Sequence, residues 1–475
     1  MSKVTLALLV VLSVLQIQAR QFQPDWKAYG TAVQPARPDP VIQNALREIS
    51  MERIRHTIEK LVGFGNRNTL GGAEGDGREG STSAESGIGA AADWIERELK
   101  SYSAACGGCL EVKRDTWTEQ PQSRIPKPTR ITNVYAILRG SDEAQAKRMH
   151  LVTGHYDSRN TDVLDARGLA PGANDDASGV AVSLECARVL SKRKWPSTLV
   201  FVAVAGEEQG LNGSRHLAHL AKEEGWQLEG VLNDDIAGGN TTPGDRLQDK
   251  SAVRVFSEGI PARSTPEQVK HIVNLGAESD SPSRELARAV ADIARTYTPV
   301  AKTGKSGLNA ILEFRRDRYL RGGDHTSFNT EGFPAVRFTE WREDFHHQHQ
   351  DLRSEGGLEY GDLLKFVDFG YVAKVARLNA AVLAVTASAP GTPRNVRLVT
   401  ATLDNSSTLV WDSPEGAPAG IRYEVVWRET AAPDWQFTVE VDGNKVTLPV
   451  SKDNVIFGVR SIDGGEHRSP AAIPQ

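Results

Sequence analysis

A chain of 475 residues with 39% hydrophobic content is long enough for two or three domains and apolar enough for a substantial core. Its 56 Lys and Arg stand against 61 Asp and Glu, a formal charge of -5, with no basic tract. That balance argues against nucleic acid as a partner.

Residues 1–19 read as a secretory signal peptide. Lys3 supplies the positive start, Val4 to Leu15 is almost wholly apolar, and Ile17-Gln18-Ala19 is a small-residue cleavage site. The apolar run is shorter than the roughly 20 residues that a membrane-spanning helix needs. The expected product is secreted or periplasmic, with no transmembrane helix after cleavage.

Helical spacing covers Met51 to Leu61, a Gly- and Ser-rich loop runs from Gly63 to Gly89, and a helix follows over Ala90 to Leu99. Cys106 and Cys109 flank Gly107-Gly108, compatible with a local disulfide in an oxidising compartment or with two free thiols, while Cys186 reads as core. Strand-like runs then alternate with helical ones. Ile131–Leu138, Met149–Thr153, Thr198–Ala205, Gly230–Asn233 and Val253–Phe256 read as strands, and Gly179–Leu190, Asn212–Glu224 and Ser283–Thr296 as helices. This order predicts an α/β domain with a mixed, mostly parallel sheet flanked by helices.

Alternation with helices stops near Ala387, and Ala389-Pro390-Gly391-Thr392-Pro393 has the composition of a linker. Beyond it, Val396 and Leu398, Leu409 and Trp411, Tyr423, Val425 and Trp427, Val446 and Leu448, and Phe457 and Val459 line up as inward faces of successive strands. That pattern predicts an all-β sandwich. The expected domains are therefore 20–388 and 389–475 after the signal. With no catalytic cluster past the linker, the second is a spacer or a binding arm for polymers or surfaces, and a chain ending near Ser388 should fold and retain activity.

Five short acidic and histidine motifs fall where predicted strands or the loops after them end. They are His155-Tyr156-Asp157, Asn174-Asp175-Asp176, Gly206-Glu207-Glu208, Asp234-Asp235, and His347 with Asp351. Imidazoles and carboxylates gathered on one α/β scaffold suit a pair of divalent metals and point to a hydrolase. Val200, Val202 and Val204 make a buried parallel strand that delivers Glu207 and Glu208 to a sheet edge. Asp157, two residues after His155, is suited to accept the second N–H of a metal-bound imidazole and orient the ring. The small residues from Gly172 to Gly179 let a loop and helix start pack around Asp175 and Asp176.

Together these motifs, over roughly Arg53 to Leu383, resemble the zinc aminopeptidases with two co-catalytic metals, of the bacterial leucyl aminopeptidase kind. The resemblance implies two Zn2+ per chain, with Asp175 bridging them, His155 and Asp235 completing one site, and Glu208 and His347 the other. It selects Asp235 over Asp234, and His347 over His346 and His349 through the His-x-x-x-Asp spacing to Asp351. Glu207 is then the general base, Asp157 joins it in the catalytic set, and Asp324-His325 is supporting structure. It also implies a cis peptide at Asp175-Asp176 and, as substrates, peptides with a free N-terminus. Carboxypeptidases or dipeptidases of the same fold, glutaminyl cyclases, and a non-catalytic binding protein on this scaffold are the alternatives. Trp411, Tyr423 and Val446-Thr447-Leu448-Pro449 give the C-terminal module its resemblance to fibronectin type III.

Overall fold

The computed structural model describes residues 25–72, 86–302, 306–401 and 403–475. The expected signal segment, residues 1–19, lies outside the described residues.

Strand β1 (Thr31–Ala32) lies near the start of the described chain. An eight-stranded sheet follows, built from β2 (Leu110–Glu119), β3 (Thr129–Leu138), β4 (Arg148–His155), β5 (Thr198–Val204), β6 (Gln227–Asp234), β7 (Ala252–Ser257), β8 (Asn309–Glu313) and β9 (Ala335–Glu340). Its order is β2-β3-β5-β4-β6-β9-β7-β8. Pairings β5-β4, β4-β6, β6-β9 and β7-β8 are parallel, and the other three are antiparallel. The fold is thus the expected mixed α/β class.

Every residue of β5 is buried, as a β-branched run at a sheet centre requires. The strands that pattern alone missed are the polar or edge ones. β2 alternates around Glu111, Lys113 and Asp115 on one edge, and β8 forms the other edge. β9 is fully buried but carries Arg337 and Glu340, two charges that hide a central strand from any hydrophobic count.

The helix Ala177–Leu190 packs on β4 and β5 and against the 20-residue helix Phe369–Ser388. The latter is long and apolar enough to cross a membrane, but most of it is buried among neighbouring helices, so it reads as a core helix. Cys106 and Cys109 form a disulfide, and Cys186 is buried and free.

After a small hairpin of β10 (Arg353–Glu355) and β11 (Leu358–Tyr360), the C-terminal region contributes β12 (Arg394–Leu398), β13 (Ser407–Asp412), β14 (Arg422–Glu429), β15 (Phe437–Val441), β16 (Lys445–Leu448) and β17 (Val455–Ile462). They form a three-stranded sheet, β12-β13-β16, and a four-stranded one, β1-β15-β14-β17. The residues expected to face inward do so: Val396, Leu409, Trp411, Tyr423, Val425, Trp427, Leu448, Phe457 and Val459 share one core, with Leu398 and Val446 packed on it.

Two expectations about domain boundaries need correction. Residues 25–33 belong to the sandwich: Thr31 and Ala32 pair with Thr438 and Phe437, and Trp427 Nε1 donates to the Trp26 carbonyl at 2.9 Å. Two residues of strand are too few for periodicity to reveal. The Ala389–Pro393 segment is no free linker either, because Ala389 is fully buried and its carbonyl accepts from Arg148 Nη1 at 2.9 Å.

The sandwich is joined to the α/β body through buried charge. Asp280 Oδ1 receives Arg288 Nη1 at 2.9 Å from the body and Arg428 Nη2 at 2.5 Å from β14. Glu285 pairs with Arg288 and accepts from Trp435 Nε1 at 3.2 Å. Arg460 of β17 reaches Asp292 at 3.0 Å.

Candidate metal centre

Parallel pairing in register brings three strand ends to one place. His155 is opposite Val204, and Thr153 opposite Asn233, so the loops after β4, β5 and β6 leave the same sheet edge carrying His155, Glu207-Glu208 and Asp234-Asp235. The loop before the helix Ala177–Leu190 adds Asp175. Its close approach depends on glycine: a Cβ on Gly179 would lie 2.1 Å from the Asp234 carbonyl oxygen, and one on Gly154 only 2.4 Å from the Gly179 backbone. The peptide Asp175-Asp176 is cis.

Asp175 is the centre of the cluster. One oxygen, Oδ1, is 3.1 Å from His155 Nε2, and the other, Oδ2, is 3.0 Å from His349 Nε2. His349 Nε2 also lies 2.9 Å from Glu208 Oε1. Two donor groups result, His155 with Asp175 and Asp235, and Asp175 with Glu208 and His349, each with ligand atoms within 4.8 Å of one another. All but His349 are buried; it is partly exposed.

The electrostatics suit cations. Burial works against protonation of His155, yet contacts with Asp157 and Asp175 hold its pKa well above the imidazole range. His349 is likewise pushed up to about 10, because Glu208 and Asp175 outweigh the burial penalty. The carboxylates therefore demand positive charge at the two positions where a divalent ion would be shared by nitrogen and oxygen donors. Borderline ions such as zinc accept that donor set.

His347 does not join them, contrary to the expectation from its spacing to Asp351. Its Nδ1 is 3.1 Å from Asn240 Oδ1, and its ring stacks on Phe366 at 3.5 Å. The carrying segment is irregular: the His347 N–H donates to the Asp344 carbonyl at 3.0 Å, and His349 takes a left-handed φ of 50°. Side-chain direction there follows the turn, which no periodic spacing encodes. The exposed Asp351 accepts from the Thr161 N–H at 3.3 Å. Of the other pair, Asp235 faces the cluster, whereas Asp234 Oδ1 accepts from Asn379 Nδ2 at 2.9 Å.

Asp157 ties the site together. His155 Nδ1 lies 3.4 Å from its Oδ1 and 3.2 Å from its carbonyl oxygen, and its carboxylate also accepts the N–H groups of Glu207 at 3.3 Å and Glu208 at 3.1 Å. One buried carboxylate thus orients the imidazole and the Glu207-Glu208 turn. Asp176 caps its helix through the Gly179 N–H at 2.9 Å and accepts the His155 N–H at 3.0 Å.

Three further positioning residues were not singled out from sequence. Asp362 accepts the Asn174 and Asp175 N–H groups at 2.8 and 2.7 Å, and its burial pushes its pKa up to about 7. Fully buried Arg67 donates to the carbonyls of Tyr156, Leu61, Pro171 and Gly172 at 2.6–2.9 Å, clamping the loops of Asp157 and Asp175. Arg337 Nη2 holds Asp235 Oδ1 at 2.8 Å. A lone Arg or Asp far along the chain offers no signal of such a role.

Glu207 lines a cavity of about 420 Å³ together with Asp175, Glu208, Asp235 and His349. Among the described residues its carboxylate has no hydrogen bond or ion pair. Burial raises its pKa well above the carboxylate range; His155 opposes the rise, while Glu208 and Asp235 add to it.

The sequence profile of peptidase family M28 matches residues 133–357, the stretch that carries these motifs. A probable zinc metalloprotease of Leptosphaeria maculans is 47% identical over 444 residues, covering 93% of this chain and 98% of its own. A second, from Pyrenophora teres f. teres, is 44% identical over 449 residues, covering 94% and 89%. Among solved structures, the LapA aminopeptidase of Legionella pneumophila superposes with a TM-score of 0.50 at 17% identity, over 76% of this chain and 79% of that one, a likeness of fold. With near-full-length relatives and the matched profile spanning the site, this chain belongs to peptidase family M28.

Proposed function

We propose that the protein is a secreted zinc aminopeptidase that holds two zinc ions and removes N-terminal residues from peptides. The observation that carries the reading is Asp175, whose two oxygens each face a different imidazole, with the uncommitted Glu207 carboxylate opening on the same cavity. His155, Asp175 and Asp235 would hold one ion, and Asp175, Glu208 and His349 the other. The fungal relatives, each named a probable zinc metalloprotease, support zinc. The apolar segment Val4 to Leu15 supports secretion.

When bound, the ions supply Lewis acidity toward a carbonyl oxygen and acidify water. Glu207 accepts a proton at its carboxylate from the attacking water and returns it to the leaving amine nitrogen. Asp157 keeps His155 in one orientation and fixes the turn that aims Glu207.

The test is a panel of peptides with free or blocked ends, run on protein of measured metal content. Hydrolysis should require the free amine and tolerate an amidated C-terminus, with two zinc ions per chain. Cleavage of N-acetylated peptides at their C-terminus would replace this reading with a carboxypeptidase, and a single zinc with ammonia-releasing cyclisation of N-terminal Gln would replace it with a glutaminyl cyclase.

Ligand assignment has its own test. After dialysis, Asp175→Ala should retain neither ion fully and His349→Ala should lose about one, whereas His347→Ala should keep both. Loss of an ion from the His347 variant but not the His349 variant would reverse the assignment.

A further inference from the structure

Resting on the peptidase reading, we propose that Arg159 anchors a substrate carboxylate, so that the preferred peptides carry an acidic group beside the scissile bond. Arg159 follows His155 by four residues on the loop leaving β4 and lines the catalytic cavity. Its side chain is only 16% exposed, yet among the described residues its one ionic contact is a loose 3.7 Å approach to Glu208 Oε2, and its buried Nε has no hydrogen-bond partner there. A guanidinium has five N–H donors in a fixed fork. Leaving the buried Nε–H unsatisfied is costly, and a carboxylate is the group that can take it together with a neighbouring Nη–H.

The rest of the wall agrees. Arg124, Arg318 and Arg321 line the same cavity. Arg124 spends one N–H on the Glu208 carbonyl at 2.9 Å, and no carboxylate pairs with it among the described residues. Arg318, Arg321 and Arg254 reach Glu343 at 2.9, 3.3 and 2.7 Å, and Arg318 also meets Asp317 at 3.2 Å, a carboxylate that Arg337 shares at 3.3 Å. Four guanidiniums on these two carboxylates leave that rim with a positive surplus. Among the described residues, the apolar side chains lining it are Leu211 and Leu320, and Leu320 is 89% exposed. With Asp175, Glu208 and Asp235 committed to the metal ions, the remaining wall offers little to a bulky apolar side chain and, through its four arginines, much to an anion.

The carboxylate could be the side chain of the cleaved N-terminal residue or the C-terminal group of a short peptide. Two matched pairs separate these sources: glutamyl- against glutaminyl-4-nitroanilide, and Leu-Gly against its C-terminal amide. In the zinc-loaded full chain, at least one pair should favour the acid by about tenfold or more in kcat/KM, since a site built around a charged partner rejects its neutral isostere. In Arg159→Gln, that ratio should fall to within about twofold of unity while zinc content is unchanged. Wild-type ratios near one in both pairs would overturn the proposal. So would a preference that survives Arg159→Gln, which would leave Arg159 as a support for Glu208. Calorimetric binding of the same pairs to Glu207→Gln gives the ratio independently of turnover. Absence of hydrolysis alongside an intact binding preference would therefore count against the peptidase reading alone.

Discussion

Glu207→Gln should lower kcat by about 10²- to 10⁴-fold, the contribution expected of a positioned general base. Zinc content and KM should stay close to those of the parent. The amide keeps the shape and the N–H···Asp157 backbone contact of the glutamate but cannot take a proton. Glu208→Ala, one position on, should instead lose metal, because Glu208 Oε1 lies against His349 Nε2. Kinetics on both variants with parallel metal analysis decide the matter. Near-parental turnover by Glu207→Gln would end the general-base assignment, and loss of metal from it would make Glu207 a ligand.

The second large effect concerns stability. Arg428→Ala should destabilise the intact chain by about 3–5 kcal/mol, the usual cost of removing one partner from a buried ion pair. The variant would leave two buried carboxylates, Asp280 and Glu285, sharing Arg288 alone. Burial already pushes Glu285 up to about 7, even with both guanidiniums near it. Denaturant unfolding checks this, and a change below about 1 kcal/mol would mean that the junction is solvated and weak. Arg428 lies in β14, outside the metal cluster, so the turnover of molecules that remain folded should not change.

The same junction alters what truncation should do. A chain ending near Ser388 loses the sheet that pairs with Thr31 and Ala32, and the apolar contacts of Trp26 with the sandwich core. It also uncovers the body surface around Arg288 and Asp292. Its charges would regain water, so the penalty comes from lost apolar burial and from an unpaired N-terminal segment. Lower soluble yield and a lower melting temperature are expected, in place of the freely separable module that the Pro- and Gly-containing segment suggested. Unchanged melting of the truncated chain would restore the separable module.

Much of the molecule was determined by local pattern, because burial leaves a periodic trace. The Val200, Val202 and Val204 alternation, the Gly172–Gly179 loop and the inward residues from Val396 to Val459 are each short-range arrangements, and all fell where the pattern placed them. Parallel strands then carry whatever follows them to one edge, which is why the motifs holding His155, Asp175, Glu208 and Asp235 meet in space, while the choice of these residues within their motifs came from the family resemblance. What only the tertiary structure decided lies where direction or partner depends on distant chain. The choice of His349 over His347 hangs on a left-handed residue in an irregular loop. The strand β9 is masked by Arg337 and Glu340, whose burial is made possible by partners that include Asp235 and Asp317 on one side and Asn174 and the Asn240 N–H on the other. The joining of the sandwich to the body rests on charges more than a hundred residues apart, Asp280 with Arg428 and Asp292 with Arg460. In the sequence each reads as an ordinary surface residue, because a charge reveals its burial only once its counter-charge is in place.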